Sequence, residues 1–150
     1  MGDARAGRLF AEGVAFHKQG RLAEAARAYA AACEADPAHV GARFNLAVAL
    51  HSQGLDEEAE RAYRRALAVK PDLVQALNNL ANLLLAHERV AEALEALMRA
   101  TALAPGFAPP WNSLGNALLK MGRTQEAAAR FARALEIDAG FHEARGNLGR

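Results

Sequence analysis

The chain has 150 residues, enough for a domain with a real core, and 38 of them are alanine against 6% aromatic. That mix favours helices packed closely through small side chains and argues against a β-sandwich. A formal net charge of +1, from 18 basic and 17 acidic residues, gives no broad field for nucleic acid, and a single cysteine, Cys33, excludes an internal disulfide.

The first ten residues, MGDARAGRLF, hold no apolar signal core, and Ala6 stands where a myristoylation signal after Gly2 needs Ser or Thr. No apolar run approaches the length of a membrane span. A cytoplasmic protein with no membrane partner is expected.

From Ala6 onward the sequence has a period. Pro37, Pro71 and Pro105 are spaced 34 residues apart. The first repeat, residues 6–39, places Gly13 in one apolar stripe, a break at Gly20, then Glu24, Ala25, Tyr29 and Ala32 in a second stripe before Pro37. Residues 40–73 do the same with Ala47, Gly54, Glu58, Ala59, Tyr63 and Ala66 before Pro71. Residues 74–107 follow with Ala81, Glu88, Glu92, Ala93, Leu97 and Ala100 before Pro105. Residues 108–141 carry Gly115, Gly122, Glu126, Ala127, Phe131 and Ala134, with Ala139 where the proline is due. Residues 142–150 begin a fifth repeat, with Gly149 at the small position and Arg150 after it.

Two stripes at helical spacing around a break predict two antiparallel helices per repeat, A and B. Counting from Ala6, small residues at repeat positions 8, 20 and 27 let helix axes approach, and the bulky residue at position 24 fills the space beside them. Glutamate at position 19 falls in the first turn of helix B, where the helix dipole favours negative charge. Proline at position 32 falls where helix B must stop. Asp56 and Thr124 are expected N-caps.

Trp111, Leu114, Gly115, Ala127 and Phe131, with the aligned copies before them, resemble the signature of the tetratricopeptide repeat family over 6–141 and in part over 142–150. Glu12 departs from the leucine found at Leu46, Leu80, Leu114 and Leu148, which suits a terminal repeat lacking one neighbour. The resemblance implies an all-α fold, a right-handed superhelical solenoid of antiparallel helix pairs, as one domain over 1–150 with a partial fifth repeat or short cap at 142–150. It places A helices on a concave face, with positions 5, 6, 9 and 12 among those facing the groove.

On that reading the groove divides. Asn78, Asn79, Asn82, Asn112, Ser113 and Asn116 form a polar part, continued by Asn147 and preceded by Asn45. An amide donates and accepts at once, so a row of amides can pair with the backbone of an extended peptide. The row at position 6 is similar to the asparagine ladder of O-linked N-acetylglucosamine transferases, which implies that Asn45, Asn79 and Asn147 hold a polypeptide by its backbone. These amides face the groove and are expected to lie clear of the core; the alternative to ligand contact is that they are simply polar residues on a solvated helix. Phe10, Val14, His17, Phe44, Val48 and His51 form a secondary, apolar groove, either an exposed strip for a partner's side chains or a surface covered by adjacent helices. His17 and His51 lie one repeat apart, too far to share a metal at zinc–nitrogen distances of about 2.0–2.1 Å. The lysine and arginine positions that capture acidic chaperone tails in this family are not matched here.

No phosphate-cradling loop, nucleophile motif or metal-ligand cluster is present, so no cofactor, no metal and no enzyme activity are expected. Glu57–Arg61 and Glu60–Arg64 are spaced for i,i+4 pairing on a solvated face. The expected function is a protein-interaction module that takes an extended or helical peptide in its groove. The alternatives are the substrate-recruiting part of a larger enzyme, such as a glycosyltransferase, and a scaffold that self-associates as a homo-oligomer through its C-terminal end.

Overall fold

The structure is a computed structural model that describes residues 2–149. Among the described residues there are nine helices and no strand: α1 (Gly2–Lys18), α2 (Leu22–Ala35), α3 (Val40–Ser52), α4 (Asp56–Val69), α5 (Val74–Ala86), α6 (Val90–Leu103), α7 (Ala108–Lys120), α8 (Thr124–Ile137) and α9 (His142–Leu148). The expected all-α fold of helix pairs is therefore observed, with odd-numbered helices as A and even-numbered as B. No described helix is long and apolar enough to cross a membrane. Backbone packing groups the chain into two compact halves, Met1–Leu73 and Val74–Arg150, which meet at a repeat boundary.

In the N-terminal half, α1 packs on α2, α2 on α3 and α3 on α4. Tyr29 and Tyr63 are fully buried, as are Ala25, Ala32, Ala59 and Ala66. The small residue at position 8 has a direct reason: a Cβ on Gly13 would stand 2.5 Å from the Tyr29 ring. Ala26 and Ala49 join Tyr29 in one core cluster, flanked by Phe10, Val14, Phe16, Leu46 and Leu50. Ala32, Cys33 and Ala42 form a second cluster with Leu9.

In the C-terminal half, α5 packs on α6, α6 on α7, α7 on α8 and α8 on α9. Phe131, Leu77, Leu83, Leu84 and Leu97 are its largest fully buried side chains. Gly115 repeats the device of Gly13, since a Cβ there would collide with the Phe131 ring. Each such buried side chain stabilises the fold by about 1.5–3 kcal/mol relative to exposure, more than any surface ion pair described below.

Helix A ends the same way in every complete repeat. The amide of repeat position 16 returns to the carbonyl of position 11: Arg21 to Phe16, Leu55 to Leu50, Arg89 to Leu84 and Arg123 to Leu118, at 2.9–3.0 Å. This closure needs a left-handed residue at position 15. Gly20, Gly54 and Gly122 supply it at φ of 75–77°, and Glu88 supplies it at 59°.

Helix B starts differently from expectation. Asp56 and Thr124 are the first helical residues, and the N-cap positions belong to Leu55 and Arg123, which make no side-chain cap bond. The first turn is instead braced by arginine at position 16. Arg21, Arg89 and Arg123 each grip the glutamate three residues on, Glu24, Glu92 and Glu126. These pairs are exposed and contribute at most about 1 kcal/mol each. Of the two expected i,i+4 pairs, Arg64 meets Glu60 at 3.0 Å, whereas Arg61 lines a cleft discussed below.

Candidate functional site

The polar residues of positions 5, 6 and 9 in the C-terminal half separate into two sets by burial. Asn78, Asn112 and Ser113 are buried, with 8%, 4% and 3% of their surface exposed. Asn79, Asn116 and Asn147 are half-buried and Asn82 is exposed. The expectation that these amides lie clear of the core is therefore corrected for Asn78, Asn112 and Ser113. The reason is geometric. Successive A helices pack about 10 Å apart, and position 5 points at the next A helix, not out of the face.

What Asn78 and Asn112 meet there is polar. Ser113 Oγ donates to Asn78 Oδ1 at 2.8 Å, joining α7 to α5. Asn147 Nδ2 donates to Asn112 Oδ1 at 3.0 Å and to Asn116 Oδ1 at 3.3 Å, joining α9 to α7. Position 5 of one repeat thus accepts from position 6 of the next, twice in succession. A net neutral hydrogen bond is worth about 1 kcal/mol, but stripping one partner from a buried pair costs about 1–3 kcal/mol. The remaining amides, Asn79, Asn82 and Asn116, stay within reach of solvent on α5 and α7.

In the N-terminal half the corresponding residues do something else. His17 Nδ1 and Tyr29 Oη lie 3.2 Å apart, and His51 Nδ1 and Tyr63 Oη also lie 3.2 Å apart. Each pair links helix A to helix B of one repeat. Burial pushes the Tyr29 phenol above its ordinary value, and the neighbouring Asn45 side chain opposes that shift. Phe10 stacks at a tilt on Tyr29 and His39, with ring centroids 5.9 and 4.9 Å away. Phe44 stands 6.3 Å from Tyr63. Phe10 and Phe44 are half-buried, partly covered by these adjacent side chains, and Val14 and Val48 are half-buried as well. Tyr29 and Tyr63, read from the sequence only as bulky core residues, are polar partners as well. The signal was their co-occurrence with His17 and His51, since Leu85 and Leu119 take position 12 where the hydroxyl is missing.

Among the described residues no cluster of three or more His, Cys, Asp or Glu side chains is arranged to hold a metal. Cys33 is buried and reduced. Burial is the main cause that pushes its thiol up, Asp36 adds to this, and Arg43 and Arg65 act against it.

Helix pairs closed by one turn geometry, repeated at a fixed period, can be compared with known proteins. The family profile described as tetratricopeptide repeat matches residues 10–72 and 57–106, and a second profile of the same description matches residues 108–141. The chain belongs to the tetratricopeptide repeat family. Among solved structures it is similar to pilF of Pseudomonas aeruginosa, at a TM-score of 0.87 and 24% identity over 98% of this chain and 67% of that one. MamA gives a TM-score of 0.87 at 24% identity, over 99% of this chain and 81% of that one. YrrB, described as a tetratricopeptide repeat protein with an unusual peptide-binding site, gives 0.77 at 23% identity, over 94% and 73%. At these identities the likeness is one of fold. No curated protein matches the sequence. Within this tetratricopeptide chain, the polar inter-helix bonds of the C-terminal half and the histidine–tyrosine pairs of the N-terminal half are details that the repeat signature does not specify.

Proposed function

We propose that this tetratricopeptide chain is a non-catalytic binding module that holds an extended peptide by its backbone along the A-helix face of the C-terminal half. The observation that carries this reading is the sorting of the asparagines. Ser113 satisfies Asn78 and Asn147 satisfies Asn112, which leaves Asn79 and Asn82, and Asn116 beyond its one bond from Asn147, as amides with access to solvent on successive A helices. An accessible row of donor–acceptor groups without formal charge suits peptide backbone more than it suits an ionic ligand. Buried neighbours fix the helices that carry the row, so little ordering is needed on binding. Tetratricopeptide repeats generally mediate protein–protein contacts, and YrrB is a structural neighbour described as having a peptide-binding site. Of the asparagines that the likeness to the transferase ladder would assign to ligand, Asn147 is engaged as a clamp on α7 and so set back from ligand contact, and Asn79 is kept in the proposed row.

The test is a double variant, Asn79→Ala with Asn82→Ala, assayed against short peptides selected from a random array on the wild-type chain. Peptide affinity should fall by about tenfold or more, equivalent to about 1.4 kcal/mol, with the melting temperature little changed. Unaltered peptide binding accompanied by a clear loss of stability would show that these amides, too, are structural.

A further inference from the structure

The B-helix side of the N-terminal half contains a cleft of about 520 Å³ walled by α2, α3 and α4. Its floor is small and apolar, made by Ala26, Ala30 and Ala62 with Leu46 and Leu50 and the edge of Cys33. Its rim is cationic. Arg27, Arg43, Arg61 and Arg65 line it against Glu34 and Glu58, so four guanidiniums face two carboxylates and two positive charges are uncompensated. Arg43 donates to the Pro37 carbonyl at 2.5 Å. Among the described residues, Arg27, Arg61 and Arg65 make no ion pair, although Arg64 beside them pairs with Glu60.

The cleft is written into the sequence. At repeat position 4 the other complete repeats carry Leu9, Leu77 and Trp111, and among these four only the second carries a charge, Arg43; the partial fifth repeat has Arg145 there. The positions of Ala26 and Arg43 are taken two repeats later by Leu94 and Trp111. Trp111 donates to the Pro105 carbonyl at 3.0 Å, and Arg130 and Arg133 each stand 5.8 Å from its ring. In the C-terminal half the arginines of this surface therefore have an aromatic partner within the chain. In the N-terminal half the small residues leave the equivalent space open, with no such ring beneath the guanidiniums.

We propose that this cleft is a second binding site, for an acidic peptide segment. Carboxylates of the segment engage Arg27, Arg61 and Arg65, whose planar donors match a carboxylate in bidentate fashion. One or two apolar side chains of the segment enter between Leu46, Leu50 and Ala62. The volume is in the range of pockets that enclose ligand groups, about 300–1,000 Å³. Nucleic acid fits less well, because no aromatic ring lines the cleft for base stacking. The site shares no residue with the amide row on α5 and α7, so each stands or falls alone.

The experiment uses the full chain and an array of short random peptides, probed with the wild type, with Arg61→Glu/Arg65→Glu, and with Asn79→Ala/Asn82→Ala. The strongest peptides are then titrated in solution, and far-UV circular dichroism checks that the variants are folded. Arg61 and Arg65 are exposed, so their reversal leaves the core untouched. The expected result is a set of peptides that the arginine variant loses and the asparagine variant keeps. That set is enriched in Asp and Glu beside Leu, Ile or Phe, and its affinity drops by at least about tenfold. The proposal is overturned if the arginine variant retains every peptide, if the peptides it loses carry no acidic enrichment, or if a single-stranded oligonucleotide binds the wild type more tightly than they do.

Discussion

In the N-terminal half, repeat position 24 is Tyr29 or Tyr63 and position 12 is His17 or His51; in the C-terminal half the same positions are Leu97 or Phe131 and Leu85 or Leu119. The polar bonds follow this difference. In the first half the histidine–tyrosine bonds run within a repeat, from helix A to its own helix B, while Gln53 reaches back to the Leu22 carbonyl of the preceding repeat at 3.5 Å. In the second half the bonds run between repeats, from one helix A to the next, through Ser113–Asn78 and Asn147–Asn112. A common backbone scaffold thus carries two internal wiring plans. The lesson concerns the asparagines. An amide in a repeat groove is a candidate ligand contact only after its neighbours along the stack have been given their share of it.

The difference can be broken most sharply at Asn78. Replacing it with alanine leaves the buried Ser113 hydroxyl without its acceptor, and stability should fall by about 1–3 kcal/mol, with the melting temperature lowered by roughly 2–4 °C per kcal/mol for a chain of this size. Denaturant unfolding followed by far-UV circular dichroism measures it; a change within error would mean that the inter-repeat bond holds nothing. Tyr29→Phe tests the other plan. The ring stays, the hydroxyl that meets His17 goes, and the half-buried histidine can turn to water, so the expected cost is smaller, about 0.5–1.5 kcal/mol. Equal costs for the two variants would erase the distinction between the halves.

The smallest effect should come from pH. Folding raises the Cys33 thiol through burial, so the folded state holds its proton more tightly than the unfolded chain does. That contribution to stability is complete below the ordinary thiol value of about 8.5 and is lost as pH rises through the raised value. Melting temperature should therefore decline on the alkaline side, and less steeply in Cys33→Ala. An identical slope in wild type and variant would remove the thiol from the account.

The helix pairs, their phase and the small-against-bulky packing were legible because period and residue size determine them together: Gly13 under Tyr29 and Gly115 under Phe131 are pairings that a one-letter sequence states outright. The partners of Asn78 and Asn112 were not, because each lies 35 residues away on a different helix, and the side-chain direction at position 5 decides between partner and solvent. The helix B starts were misplaced by one residue at Asp56 and Thr124, since Leu55 and Arg123, which ordinary cap preferences do not anticipate, take the N-cap positions, with an Arg123–Glu126 pair bracing the second of them. The cleft went unseen although Arg43 marks it, because a charge at one apolar position is easily absorbed as surface variation. The volume becomes visible only when Ala26, Ala30 and Ala62 are seen to converge on the same spot.

Glu88 makes a bend that three glycines make elsewhere, with the same return bond from Arg89 to Leu84. The bend is therefore dictated by the helices on either side of it and not by the freedom of the residue inside it: the pair is a mould, and the turn is cast to fit. Having a side chain at that point brings a use that glycine lacks. Glu88 reaches Lys120 of the following repeat at 2.9 Å, so the least accommodating of the four turns is also the one that serves as a tether.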